Sequence, residues 1–226
     1  MVESMIATDD VPGRARVSAT RPASVLPMDV RRPTLNVTAT VTVTSNDERN
    51  PMSTVVLVFH PHLSDGSRVN ARLAAEARAH ASDGIEVVDE YALYPDGHVD
   101  VAREQERILS ADRVVLQFPM WWYSSPALLK QWEDDVLAYG WAYGEGGDKL
   151  RGKEFQLAVT AGSTAQEYTH EGRHRHTMEE LLAPFWVTFD YCAATWVEPF
   201  LVEGTPDLSD EALEAAAADY VEAILR

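Results

Sequence analysis

The chain is poor in cysteine, in basic residues and in long apolar runs. Cysteine occurs once in 226 residues, at Cys192, which excludes an internal disulfide and a thiolate-built zinc site and fits a reducing compartment. The longest apolar stretches, such as VVLVF at 55–59, fall far short of the roughly 20 residues a membrane helix needs. Acids, not a basic block followed by an apolar one, open the chain; no secretory signal is read, and a cytoplasmic protein is expected. Lys plus Arg number 19 against 36 Asp plus Glu, a formal net charge of -17. Such a field repels phosphate backbones and anionic lipid at long range, which argues against a nucleic-acid or membrane-surface role. Any anion must be bound locally. Neither GxxxxGK[ST] nor GxGxxG occurs, so nucleoside-triphosphate hydrolysis and a dinucleotide-binding turn both lose support.

Residues 1–52 also lack Phe, Trp and Tyr and carry Pro12, Pro22, Pro27, Pro33 and Pro51, a composition that cannot bury enough surface to fold alone. They are expected to be a disordered leader, or to precede a true translation start at Met52. One stretch within them, VTATVTV at 37–43, alternates as a strand would but has no evident partner.

From residue 53 to 226 the pattern becomes that of one folded domain. STVVLVFH (53–60), IEVVDEY (85–91), RVVLQFP (113–119), EFQLAVT (154–160) and TWVEPFLVEG (195–204) read as strands, nearly continuous in their hydrophobicity as parallel strands covered on both faces are. Helical spacing fills the intervals: 69–81, 101–109, 126–138, a segment around 177–193 and 208–225. Ser124 and Ser125 offer N-caps before Pro126, while Pro184 predicts a helix boundary inside 177–193. Right-handed crossovers with helices on both faces give a three-layer α/β/α sandwich on a five-stranded parallel sheet.

In an open parallel sheet, ligands sit beyond the carboxyl ends of the strands, where three loops qualify. HPHLSDGSRVN (60–70) opens a helix whose free N–H groups and dipole favour a phosphate; an ordinary capped helix would read the same way. FPMWWYSSP (118–126) packs two Trp, a Tyr and a Met into a few residues, which suits the walls of a flat aromatic ligand or, equally, core packing. TAGSTAQEYTHEGRHRH (160–176) starts with small residues that let backbone approach a ligand, then brings Tyr168 and His174, a pair able to move protons, or forms a polar loop. The spacing of His170, His174 and His176 matches no convincing metal set, so no metal is expected. GEGG (144–147) reads as a turn, and Cys192 as a small buried hydrophobe.

Taken in order, HPH and SRVN (60–70), YALYPDGHVDVAREQE (91–106), FPMWWYSSPALLKQWEDDV (118–136), GWAYGEGG (140–147), TAGS (160–163) and Tyr168-x5-His174 resemble the flavodoxin-like NAD(P)H:quinone oxidoreductases of the DT-diaphorase type. The YALYPD and GWAYGEGG segments are most similar to the ancillary oxidoreductases of bacterial glutathione-gated potassium efflux. The resemblance implies a flavodoxin-like fold with strand order 2-1-3-4-5 and a non-covalent flavin, FMN or else FAD. His60, Ser67, Arg68, Val69 and Asn70 would surround its phosphate; Pro119, Met120, Trp121, Trp122 and Tyr123 would line its chain and ring; Thr160, Ala161, Gly162 and Ser163 would meet the ring's polar edge. Tyr168 and His174 would be the catalytic proton relay. It implies further an enzyme passing a hydride from NAD(P)H to flavin and then to a quinone, a homodimer with Trp141 and Tyr143 near the junction, and a potassium-efflux transporter as a partner. A flavin-bound regulatory subunit of that transporter is the alternative. Two departures stand out: Trp121 where many relatives have Gln, and TAGS for the commoner TTGG, which puts a side chain at Ser163.

Overall fold

A computed structural model describes residues 52–226; the leader and its 37–43 stretch lie outside the described residues. Five parallel strands, β1 (Thr54–Val58), β2 (Ile85–Asp89), β3 (Arg113–Pro119), β4 (Glu154–Thr160) and β5 (Thr195–Val202), form one sheet in the order 2-1-3-4-5, as expected. Alternation along β1 explains the layers. Val55, Leu57 and Phe59 face a core shared with α3 (Val101–Ser110), α4 (Ala127–Val136) and α5 (Met178–Tyr191), whereas Val56 and Val58 face α1 (Val69–Ala79) and α6 (Asp210–Leu225). Cys192 is buried in the first core, where desolvation pushes its thiol pKa up and leaves it an apolar filler.

The structure departs from the sequence expectations in four places. The IEVVDEY strand ends at Asp89, because the Asp89 carboxylate accepts from the Ala92 amide at 3.1 Å and starts a one-turn helix, α2 (Glu90–Leu93). Neither Ser124 nor Ser125 caps α4, whose cap position is Pro126. α5 runs unbroken through Pro184. A reciprocal cap fixes its start, with Thr177 Oγ1 accepting from the Glu180 amide and the Thr177 amide donating to Glu180 Oε2. Met178, Leu182, Phe185 and Phe189 then form one buried stripe across the proline, anchored by Phe189 stacked on Phe155 at 4.1 Å between centroids. That burial outweighs the one hydrogen bond Pro184 removes. Finally, β5 is an edge strand, half-exposed along most of its length. It bulges opposite Leu157 at Glu198 and Pro199, a position where proline costs no ladder bond.

One buried polar cluster braces the α2 to α4 side. Glu104, fully buried, accepts from Tyr94 Oη (2.8 Å) and Trp132 Nε1 (3.1 Å) and pairs with Arg107, so its acceptor sites are filled. Glu90, equally buried, has a partner for neither carboxyl oxygen among the described residues. Burial, then the nearby Glu104 charge, pushes the Glu90 pKa up to about 8. Burial likewise lifts Glu133 on α4 to about 7. Both folded values lie above the ordinary 4.5, so the folded state keeps protons that the unfolded chain releases, and stability falls as pH rises from about 5 to about 8. We expect the unfolding free energy from urea titration to drop across that window by an amount on the order of a few kcal/mol. Glu90→Gln should flatten most of the slope and raise the midpoint at pH 8; an unchanged slope in that variant would assign the linked proton elsewhere.

Candidate functional site

The order 2-1-3-4-5 reverses between β1 and β3, so the crevice for a ligand lies beyond their carboxyl ends. β3 and β4 pair in register for seven residues, ending with Pro119 level with Thr160. The ladder goes one step further, with the Met120 amide donating to the Thr160 carbonyl at 2.8 Å. Segments 119–126 and 160–176 therefore leave the sheet side by side. Segment 60–68 leaves β1 next to them, after the Phe59 amide donates to Gln117 O at 2.8 Å.

At the start of α1 the amides of Ser67, Arg68, Val69 and Asn70 donate to no acceptor among the described residues, the usual state of a helix N-terminus and a cradle for an anion. Ser67 Oγ turns inward and accepts from the Ala71 amide at 3.3 Å. The Arg68 guanidinium is turned to Leu208 O (2.8 Å) and Asp210 (2.5 Å), so its positive charge is already paired. Val69 is buried in the core and has only its amide to offer. His60 is half-buried beside Trp121, with centroids 6.4 Å apart. Its Nδ1 accepts from the His62 amide at 3.1 Å; burial first, then His62, lowers its pKa and favours the neutral ring.

Asn70 does structural work that the sequence did not disclose. Its Nδ2 donates to Thr160 Oγ1 at 2.7 Å, and Gln117 Nε2 donates to Asn70 O (2.9 Å) and Oδ1 (3.2 Å). Gln117 Oε1 in turn accepts from Tyr220 Oη at 3.1 Å. This buried chain ties α1, β3, β4 and α6 together directly beneath the crevice. Its one legible signal was a glutamine inside the apolar run RVVLQFP.

Pro119 closes β3 in the core and Met120 is half-buried, but Trp121, Trp122 and Tyr123 are exposed. Trp122 and Tyr123 both adopt left-handed backbone, with φ of 50° and 63°, inside a tight turn closed by mutual Trp121 and Ser124 backbone bonds of 3.0 Å. Such a conformation costs a residue with a Cβ roughly 1–2 kcal/mol. The turn directs Tyr123 Oη to His174 Nδ1 at 3.3 Å and leaves Trp122 93% exposed. On the neighbouring segment the Thr160 hydroxyl is engaged by Asn70 and Ala161 is buried, while the Gly162 and Ser163 amides have no acceptor among the described residues.

Tyr168 is buried and stacks on half-buried His174, centroids 4.6 Å apart and 27° between planes. Burial raises the Tyr168 pKa, with Ser163 pulling the other way by hydrogen bonding. His174 Nε2 lies 2.8 Å from Ser163 Oγ. The other imidazoles go elsewhere: His176 Nδ1 faces His174 O and His170 lies 3.8 Å from Glu180. Among the described residues no group of three or more His, Cys, Asp or Glu side chains could hold a metal, and no helix is long and apolar enough to cross a membrane.

A family model described as flavodoxin-like fold matches residues 52–224. The chain belongs to this flavodoxin-like family. It is similar to a Bacillus subtilis (strain 168) protein named as the uncharacterised NAD(P)H oxidoreductase YrkL, 45% identical over 175 residues, 76% of this chain and 99% of that one. Among solved structures it is similar to general stress protein 14 from Treponema denticola, in complex with FMN (TM-score 0.71, 39% identity, 75% of this chain and 96% of that one). A protein described as an NADPH-quinone reductase from P. pentosaceus gives TM-score 0.68 and 27% identity, covering 76% of this chain and 98% of that one. The matched region of this flavodoxin-like chain thus spans nearly the whole of each.

The strut beneath the crevice yields a stability prediction. Tyr220→Phe leaves Gln117 Oε1 buried without a donor and should cost about 1–3 kcal/mol in urea unfolding. Adding Gln117→Leu should cost less than the two single changes summed, since the orphaned acceptor disappears with its donor; strict additivity would count against the strut.

Proposed function

We propose that the protein is an FMN-dependent NAD(P)H:quinone oxidoreductase that uses this crevice for both half-reactions. One observation carries the reading: unbonded amides at the start of α1 and at Gly162 and Ser163 flank an aromatic wall at the point where the strand order reverses. An anionic tail, a flat ring and a polar ring edge are what such a set of groups suits. The FMN of the solved relative from T. denticola and the names of the two other relatives support it. When bound, FMN would supply the hydride chemistry, accepting a hydride from the nicotinamide and delivering it to a quinone.

The chain's own part is placement and charge. The amides of Ser67, Arg68, Val69 and Asn70 hold the phosphate, with neutral His60 as a neighbouring hydrogen-bond donor through Nε2. Arg68 contributes its backbone, its side chain being committed to Asp210. Pro119, Met120, Trp121, Trp122 and Tyr123 bound the ligand from the β3 side, and Thr160, Ala161, Gly162 and Ser163 from the β4 side. Amide donors fixed in advance stabilise negative charge as it develops on the ring without reorganising. Tyr168 and His174 supply and accept the accompanying protons. We also propose a homodimer. Trp122, Tyr139, Trp186 and Tyr191 leave more aromatic surface exposed than a solitary small domain ordinarily carries, whereas Trp141 and Tyr143, half-buried against the core, can only border such a junction.

FMN added to flavin-free protein should bind at one equivalent per chain, read by the shift of its visible absorption, and sedimentation equilibrium should give twice the mass of one chain. Steady-state rates with NADH or NADPH and a soluble benzoquinone should give parallel double-reciprocal lines, because donor and acceptor use one face in turn. Failure of folded protein to bind either FMN or FAD overturns the reading, and intersecting lines overturn the shared face.

A further inference from the structure

The rings of Tyr168 and His174 cannot hydrogen-bond to each other. Polar atoms of a phenol and an imidazole lie in their ring planes, and Tyr168 and His174 are stacked nearly parallel at 4.6 Å. Each ring therefore presents its face to the other and its donors and acceptors to a third group. On the His174 side that group is Ser163, whose Oγ stands 2.8 Å from Nε2. The opposite nitrogen, Nδ1, faces Tyr123 Oη at 3.3 Å. Both imidazole nitrogens are thus engaged by side chains from two different loops, and one face of the ring is covered.

We propose that Ser163 is a positioning residue that fixes which nitrogen of His174 carries the proton, with Tyr123 securing the far side. The catalytic meaning of this assignment rests on the function proposed above; the hydrogen-bond assignment does not. The Ser163 hydroxyl donates to His174 Nε2, and His174 Nδ1–H donates to Tyr123 Oη. A neutral imidazole has one donor and one acceptor nitrogen, so a serine that donates to Nε2 forces the proton onto Nδ1, the less favoured tautomer of free imidazole.

Geometry makes the hydroxyl at position 163 the deciding group. A glycine here would leave His174 Nε2 without a protein partner while leaving the 160–163 backbone as it is, since Ser163 has an ordinary negative φ and neighbouring Gly162 has open space around it. Ser163 therefore places a hydroxyl beside His174 at no cost in backbone strain.

The test is a histidine-tautomer measurement on full-length protein labelled with nitrogen-15 in histidine, with and without FMN, in wild type, Ser163→Ala, Ser163→Thr and Tyr123→Phe. Wild type should show His174 as the Nδ1–H tautomer, Ser163→Ala should move it to Nε2–H, and Ser163→Thr should restore the wild-type signal. In the FMN-loaded enzyme Ser163→Ala should lower kcat by about tenfold, the worth of one hydrogen bond of roughly 1 kcal/mol or slightly more. FMN affinity should stay within about threefold, and Ser163→Thr should recover most of the rate. An unchanged His174 tautomer in folded Ser163→Ala overturns the proposal, as does a Ser163→Ala defect that Ser163→Thr fails to rescue. Because the tautomer is read without FMN, a failure to bind flavin would strike the proposed function and leave this assignment to stand or fall separately.

Discussion

The parallel register of β3 with β4, together with the reversal of strand order beside β1, is the constraint on which the crevice depends. Parallel strands finish at one edge, and the segments that follow must leave with backbone groups the ladder no longer satisfies. Here the unmatched groups are mostly donors: amides at the start of α1 and at Gly162 and Ser163. Donors collected at one edge create a local positive potential inside a protein whose net charge is -17, and so reconcile an acidic body with an anionic ligand. No cluster of basic side chains is required, and Arg68, the nearest candidate, is spent on Asp210.

Rigidity at that edge comes from below. The Tyr220, Gln117, Asn70 and Thr160 chain crosses from α6 through β3 to α1 and β4 with each named polar atom satisfied, so the cradle and the ring-side loop are held by the same strut. A satisfied buried network of this kind specifies one arrangement where apolar packing would tolerate several. The Glu104 cluster does the same for the α2 to α4 side, but it keeps Glu90 beside it without a hydrogen-bond partner among the described residues. The two networks thus differ: the first braces the carboxyl edge of the sheet, and the second holds a buried carboxyl, Glu90, whose pKa burial raises.

Two of the four non-glycine residues with left-handed backbone among the described residues lie in the aromatic turn. Trp122 and Tyr123 accept left-handed backbone that glycine would adopt freely, and what this achieves is the delivery of Tyr123 from the β3 loop onto a histidine of the β4 loop. His174 then sits between two loops, stacked on a third side chain from its own, and its orientation is a property of all of them together.

Strand and helix positions were legible because each obeys a local period. Apolar runs marked β1, β3 and β4, helical spacing marked α1, α3, α4 and α6, and the three loops at the carboxyl edge were located from their small, aromatic and polar residues alone. What failed locally failed for tertiary reasons. The start of α2 at Glu90 depends on the Asp89 cap, α5 survives Pro184 because its stripe is buried on both sides of it, and β5 reads as covered when it is an edge. Sequence named Tyr168, His174, Asn70 and Arg68 as site residues, but not that the first two stack, that the third braces the sheet, or that the fourth turns to Asp210. The roles of Asn70 and Arg68 are settled by partners roughly 90 to 140 residues away along the chain, and the stack of Tyr168 on His174 by how their loop folds back on itself. A one-dimensional pattern records which face a side chain is on; only the packed fold decides which other side chain meets it there.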